Sequence, residues 1–284
     1  MKTAIITDSA SNLDKKTLEK HPHLYTIPLL IMIDGKSFRD QVDITSEEVY
    51  AQLDTHKVST SLPSTEDFFS LLDDLQEKGY EKAFFVTVSS GLSGTYNAMR
   101  NALEAYEGSI EVTLYDSLTL GAGEGYLATH AHTRLSEGVD EDTLVEELNT
   151  LRFKDSLAIY SIDTLKYLRR GGRIGKVEGA IGGALRVKPV ITVNDDGVYV
   201  TLSKTIGSFQ RAMLSMKKLL VKKFGDSPIH LTIHYGNNPD KAKEQGEKLK
   251  SALNIKELVL SQLTPVLGIH TGPKMLAYVA RKIS

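Results

Sequence analysis

The segment Ser89-Ser90-Gly91-Leu92-Ser93-Gly94-Thr95 puts four hydroxyls and two glycines into seven residues. Glycine lets a ligand approach the backbone, and the free amides of a following helix can take negative charge. The chemistry on offer is recognition of an anion or a carboxyl head, although a plain capped turn uses the same residue types. Asp8-Ser9-Ala10-Ser11-Asn12, Ser59-Thr60-Ser61 and Asp116-Ser117 have the same character, and taken singly Asp8 and Asp116 read as capping or turn residues. His270 lies in Leu267-Gly268-Ile269-His270-Thr271-Gly272-Pro273, where glycines and a proline restrain the backbone and so can place an imidazole. Lys166, Arg169, Arg170, Arg173 and Lys176 cluster around Gly171-Gly172 and suit an acidic partner or an anionic ligand.

Several familiar chemistries fail on spacing. Gly172-Arg173-Ile174-Gly175-Lys176-Val177 lacks the hydroxyl after lysine that a Walker A loop needs, no GxGxxG follows a strand, and there is no HExxH. His230 and His234 share one face of their strand, with structural or surface roles expected. Gly91 to Thr95 has threonine where a nucleophile elbow ends in glycine. A serine–histidine hydrolase acting on a lipid ester, using Ser93, His270 and an aspartate, stays as the alternative reading.

The elements that must position these residues alternate. Thr3 to Thr7 reads as a strand stopping at Asp8, and His23 to Ile33 as a second run ending at Asp34-Gly35. Phe68, Phe69, Leu72 and Leu75 lie on one face of a helix that follows Ser64. Lys82 to Val88 is the clearest strand of the first half, with a helix from Tyr96 to Tyr106 after its glycine-rich turn. Ile110 to Tyr115 is the next strand, followed by helices over 121–136 and 141–152. Such alternation favours a mostly parallel sheet covered on both faces, with polar strand ends along one edge.

A second series starts near Ser156. It holds a strand to Ser161, a helix breaking at Gly171-Gly172, a hairpin around Asp195-Asp196-Gly197, and helices and strands through Leu260. A loop carrying His270 and a terminal helix complete it, and that helix is expected to pack back on the first half. The expectation is therefore two α/β domains, 1–155 and 156–284.

The chain has 284 residues, 34 Lys plus Arg against 36 Asp plus Glu, and no cysteine. Near-neutrality argues against an indiscriminate nucleic-acid binder, and the missing thiols exclude disulfides and cysteine-based metal or nucleophile chemistry. The apolar stretch Tyr25 to Ile33 contains Pro28 and is too short to span a bilayer. Asp8 falls where a leader's apolar core would lie. A cytoplasmic protein is expected. The helix bearing Lys217, Lys218, Lys222 and Lys223 allows at most transient contact with anionic lipid.

Seven separated segments, in order, resemble the DegV family of fatty-acid-binding proteins, the binding subunits of bacterial fatty acid kinase. They are Asp8 to Leu13, Thr60-Ser61-Leu62-Pro63-Ser64, Ser89 to Tyr96, Asp116-Ser117, Leu168 to Gly175, Lys188-Pro189 and Ile269 to Pro273. The resemblance implies two α/β domains, the first with a Rossmann-like sheet, and a lipid tunnel ending near their interface. It implies that Thr60, Ser93 and His270 hold the lipid carboxylate, with Ser61 and Gly94 beside them, and that Arg173, with Arg170, docks the kinase partner. It further implies no cofactor and no catalysis by this chain: a separate ATP-dependent subunit phosphorylates the presented carboxylate, and the acyl phosphate feeds phospholipid synthesis. Leu62, Arg186 and Lys274 depart from the family pattern, the first near the head group and the others where chain preference and partner fit are set.

Overall fold

The computed structural model describes residues 2–181 and 187–283, so Arg186 lies outside the described residues. Along the chain, β1 (Thr3–Asp8) runs into a 3₁₀ turn at Ser9–Ser11, then α1 (Lys15–Lys20), β2 (Leu24–Ile27), β3 (Leu30–Ile33) and β4 (Lys36–Arg39). Next come α2 (Ser46–Gln52), β5 (Val58–Ser61), α3 (Thr65–Glu77), β6 (Lys82–Thr87), α4 (Thr95–Leu103) and β7 (Glu111–Asp116). The helices α5 (Ala122–Ser136) and α6 (Glu141–Thr150) lead through a π-helical turn, Leu151–Asp155, into β8 (Ser156–Ile162). The rest is α7 (Lys166–Arg170), α8 (Val177–Ile181), β9 (Val187–Val193), β10 (Tyr199–Ile206), α9 (Phe209–Phe224), β11 (Ile229–Tyr235), α10 (Pro239–Lys250), β12 (Ile255–Gln262), α11 (Pro265–Thr271) and β13 (Met275–Lys282).

The protein is an α/β fold. Strands β2-β1-β6-β7 make an all-parallel sheet. Its alternating side chains feed two buried layers: Ile6 and Phe85 meet Phe68, Leu72 and Leu75 of α3, while Ile5, Phe84 and Val86 meet Leu127 of α5 and Leu148 of α6. Burial on both faces explains why these strands read as continuous apolar runs. The sheet β10-β9-β8-β13-β11-β12 is mixed, with only β11 and β12 parallel. Its outer face packs on Met216 and Leu220 of α9 and Leu249 of α10. A small antiparallel sheet, β4-β3-β5, carries Thr60 and Ser61 on its β5 edge.

Three expectations are corrected. The run from His23 to Ile33 is not one strand: Pro28 separates β2 and β3, which join different sheets. The segment around His270 is not a loop but the short helix α11, with Pro265 in its first turn and Gly272 at φ +74 just past its end. The terminal helix is instead β13, hydrogen-bonded between β8 and β11 in the middle of the six-stranded sheet. The expected hairpin forms, β9 pairing antiparallel with β10 around Gly197.

Candidate functional site

The carboxyl ends of β1 and β6 and the loop after β7 meet the six-stranded sheet at one seam. Asp8 accepts the Ala10 N–H at 2.9 Å and the Val88 N–H at 2.8 Å, tying two strand ends together. Asp116 accepts the N–H groups of Ser90 at 3.1 Å and Leu118 at 3.0 Å. Both aspartates are thus the capping residues that their local sequence suggests. Ser89 donates to the Gly197 carbonyl at 2.7 Å, fastening the glycine-rich loop to the β9–β10 turn. A side chain at Gly91 has no room there, because its Cβ falls 2.6 Å from the same carbonyl oxygen.

This seam encloses a cavity of about 220 Å³. Leu29, Val88, Leu92, Leu120, Val266 and Leu267 form its apolar wall, with Ala10, Leu62 and Tyr199. Thr60, Ser61, Ser93, Arg173 and His270 are its polar lining, brought from β5, the β6–α4 loop, the segment after α7, and α11. Thr60 Oγ1 and His270 Nε2 are 3.0 Å apart. Ser93 Oγ lies 2.8 Å from Thr95 Oγ1 and accepts the Thr95 N–H at 3.3 Å, which anchors it before the first turn of α4. Arg173 donates from Nε to the Leu92 carbonyl at 3.0 Å and from Nη1 to Gly171 at 2.6 Å, so its guanidinium bridges two edges of the opening.

Gly94 is at the rim rather than in the lining; a Cβ there would lie 3.5 Å from Leu62 Cδ2. Arg170 is exposed, bonds the Leu53 carbonyl, and faces an adjoining depression shared with Thr60 and His270. Lys274 is exposed away from the lining. Burial, then the nearby Arg173 and Arg170 guanidinia, holds the His270 imidazole down at about 4, so the ring is neutral at pH 7. Its Nδ1 is buried with no hydrogen-bond partner among the described residues. A hydrolytic triad needs an acid on that nitrogen and a serine on the other. Here Thr60 holds Nε2, so Ser93 and His270 do not form one.

Sequence reasoning missed a layer of buried carboxyls behind the cavity wall. Asp40, 1% exposed, accepts the Val266 N–H at 2.9 Å and sits beside the Ser9 hydroxyl, which accepts the Leu29 N–H at 3.1 Å. Glu124, fully buried beside Asp8, accepts from the Thr7 hydroxyl at 3.0 Å. Burial pushes Asp8 up to about 6 and Asp40 up to about 7, and with help from the Asp8 charge it holds Glu124 well above the usual carboxylate range. Nothing in the local sequence around Asp40 or Glu124 marks them as buried. No group of residues suited to hold a metal ion occurs among the described residues, and no helix among them is long and apolar enough to cross a membrane.

A family model described as "Uncharacterised protein, DegV family" matches residues 2–282. A DegV domain-containing protein of Clostridium acetobutylicum is 36% identical over 281 residues, covering 99% of both chains. A fatty-acid-binding DegV family protein from Thermus thermophilus superposes with a TM-score of 0.89 at 28% identity, covering 100% of both chains. A stearic-acid-binding protein from Eubacterium ventriosum gives a TM-score of 0.87 at 28% identity, over 99% of this chain and 98% of that one. With the match running from the first strand to the last, the chain belongs to the DegV family.

Proposed function

We propose that this protein binds a long-chain fatty acid in the seam cavity and presents its carboxylate to a separate ATP-dependent kinase subunit, without catalysing a reaction itself. The observation that carries this reading is the juxtaposition of Thr60 and His270, 3.0 Å apart, with Ser93 and Arg173 lining the same apolar cavity. Two solved relatives, from Thermus thermophilus and Eubacterium ventriosum, are fatty-acid-binding proteins.

The energetics divide between tail and head. Each buried methylene contributes roughly 0.8 kcal/mol, so the tail of a C16 acid offers about 11 kcal/mol before association and ordering costs. An ionised carboxylate taken from water is costly unless paired and hydrogen-bonded. The hydroxyls of Thr60 and Ser93 and the neutral His270 ring supply the bonds, and the Arg173 guanidinium supplies the opposite charge. Ser61 and Gly94 flank this head-group site at the rim. The tunnel runs from it between the two α/β domains, 1–155 and 156–284.

Docking of the kinase subunit is assigned to Arg173, at the cavity's polar lining, and to exposed Arg170 over the adjoining depression. No cofactor, nucleic acid or lasting membrane attachment is needed, and the cytoplasm is the setting that fits. The test is to incubate delipidated protein with labelled palmitate and ATP, with and without a fatty acid kinase subunit. The expected result is palmitate retention in both cases and acyl-phosphate formation only with the subunit. ATP-dependent acyl phosphate from the isolated protein would overturn the division of labour.

A further inference from the structure

The buried carboxyls behind the seam cavity are bonded to its wall. Asp8 accepts the N–H groups of Ala10 and Val88, at 2.9 and 2.8 Å. Asp40 accepts the Val266 N–H at 2.9 Å, and its own N–H donates to the Leu29 carbonyl at 2.9 Å. Ala10, Leu29, Val88 and Val266 all line the cavity. Each carboxyl therefore sits one residue behind an apolar surface that the tail of a ligand would cover.

Asp40 has the greater leverage. The residue ahead of α11, Thr264, makes no side-chain cap, and Pro265 has no N–H to offer. The two amides at this helix entry are taken by distant side chains instead, Thr264 by Asn12 Oδ1 at 2.8 Å and Val266 by Asp40. From there α11 carries Leu267 into the apolar wall and His270 into the polar lining. Asp40 thus acts on both parts of the site through Val266 and Leu29, without lining it.

A charge at this place is poorly met. Asp40 Oδ2 is buried with no hydrogen-bond partner among the described residues, and burial pushes the carboxyl's pKa up to about 7. Asp8 repels it from the end of β1, with Glu124 of α5 beside Asp8. Strand β3 carries no titratable group; α11 offers only His270, neutral in its last turn, and α2 offers Tyr50 and the exposed Glu47 and Glu48. On its own segment Arg39 and Asp43 are paired with each other, 3.0 Å apart. Water standing in an open cavity solvates a carboxylate behind a thin wall. A hydrocarbon tail removes that solvation, and the ligand's own carboxylate adds charge of the same sign. Both changes strengthen the hold on the proton.

We propose that Asp40 is a positioning residue of the seam cavity that takes up a proton as a fatty-acid tail fills it, so that retention weakens with rising pH. The inference rests on the fatty-acid reading. Its sign follows from linkage: binding raises the pH at which Asp40 loses its proton, so affinity is constant below the ligand-free midpoint of about 7 and falls above it.

The test measures retention of labelled palmitate by the full chain from about pH 6.5 to about pH 8.5, in the native protein and in Asp40→Asn. Asparagine keeps an acceptor for Val266 but does not titrate, and the ligand's own ionisation is common to both proteins. The expected result is a fall across this range at least about threefold larger in the native protein than in Asp40→Asn. A role confined to capping α11 would shift the variant's retention equally at every pH, so parallel profiles overturn the proposal. Calorimetry of palmitate binding to the native chain at about pH 7.5, in two buffers of different ionisation enthalpy, reads proton uptake without any variant. Uptake of part of a proton is expected; none overturns the proposal even where Asp40→Asn fails to fold. No retention by the folded native protein at any pH overturns the fatty-acid reading itself, and this inference with it.

Discussion

Asp40 is a carboxyl that water does not reach, and its titration should be visible in the stability of the whole chain. The folded state holds its proton up to about pH 7, against 3.8 for the free side chain. Its contribution is therefore fully present below about pH 4 and is lost as pH rises through 7, a span worth on the order of 4 kcal/mol. Buried His234 runs the other way. Its Nε2 accepts the Ala122 N–H at 2.9 Å and burial holds it at about 4, so its contribution is lost as pH falls from 6.5 toward 4. Comparing Asp40→Asn with the native chain by urea unfolding isolates the carboxyl: asparagine keeps the acceptor for Val266 and should be the more stable variant at pH 8, with the gap closing by pH 4. At the seam, Ser93→Ala and His270→Ala each remove a hydrogen bond to a charged head, about 1.5–3 kcal/mol, so retention of labelled palmitate should fall roughly tenfold or more with melting unchanged. Wild-type retention in both variants would remove them from the role. Ser93 and His270 were legible because glycine and hydroxyl patterns surround them. Asp40 and Glu124 were not, because the burial of an isolated acid is decided by distant segments, here Val266 and Thr7.

Among the elements, β13 and α11 were misread for different reasons. Met275 to Ala280 is buried at every position, because β13 is a central strand covered on both faces. A continuous apolar run does not distinguish such a strand from a buried helix. In α11 the interior glycine looks like a loop signal, yet Gly268 is required there: a Cβ would fall 2.7 Å from the Tyr50 hydroxyl. That close approach between α11 and α2 sets the depth at which His270 enters the cavity. At the end of α7, Gly171 has an ordinary helical backbone, but a Cβ on it would overlap His270 Nδ1. Gly171→Ala should therefore cost little in local backbone energy while displacing the imidazole and weakening palmitate retention. Unchanged retention in a folded Gly171→Ala variant would show that the ring's position is not critical.

Over the whole molecule, the alternating strand and helix pattern correctly foretold an α/β fold with polar strand ends gathered on one edge. It did not foretell the mixed order of the six-stranded sheet, since antiparallel insertion of β13 is a long-range pairing with no local signature. The seam depends on bonds that cross it. Arg152 donates to the carbonyl of Leu118 at 2.7 Å and to that of Asn194 at 3.1 Å, joining the loop after β7 to the β9–β10 turn. Its half-buried guanidinium serves three carbonyls, so Arg152→Ala should lower the thermal midpoint by several degrees and loosen the cavity wall at Leu120. The most direct measurement is mass spectrometry of an organic extract from freshly purified protein, paired with titration of the delipidated chain with palmitate. The expected result is a near-stoichiometric long-chain fatty acid in the extract and saturable rebinding that fails in a Ser93→Ala, His270→Ala double variant. An extract free of lipid, together with no saturable uptake by the folded native protein, would contradict the account.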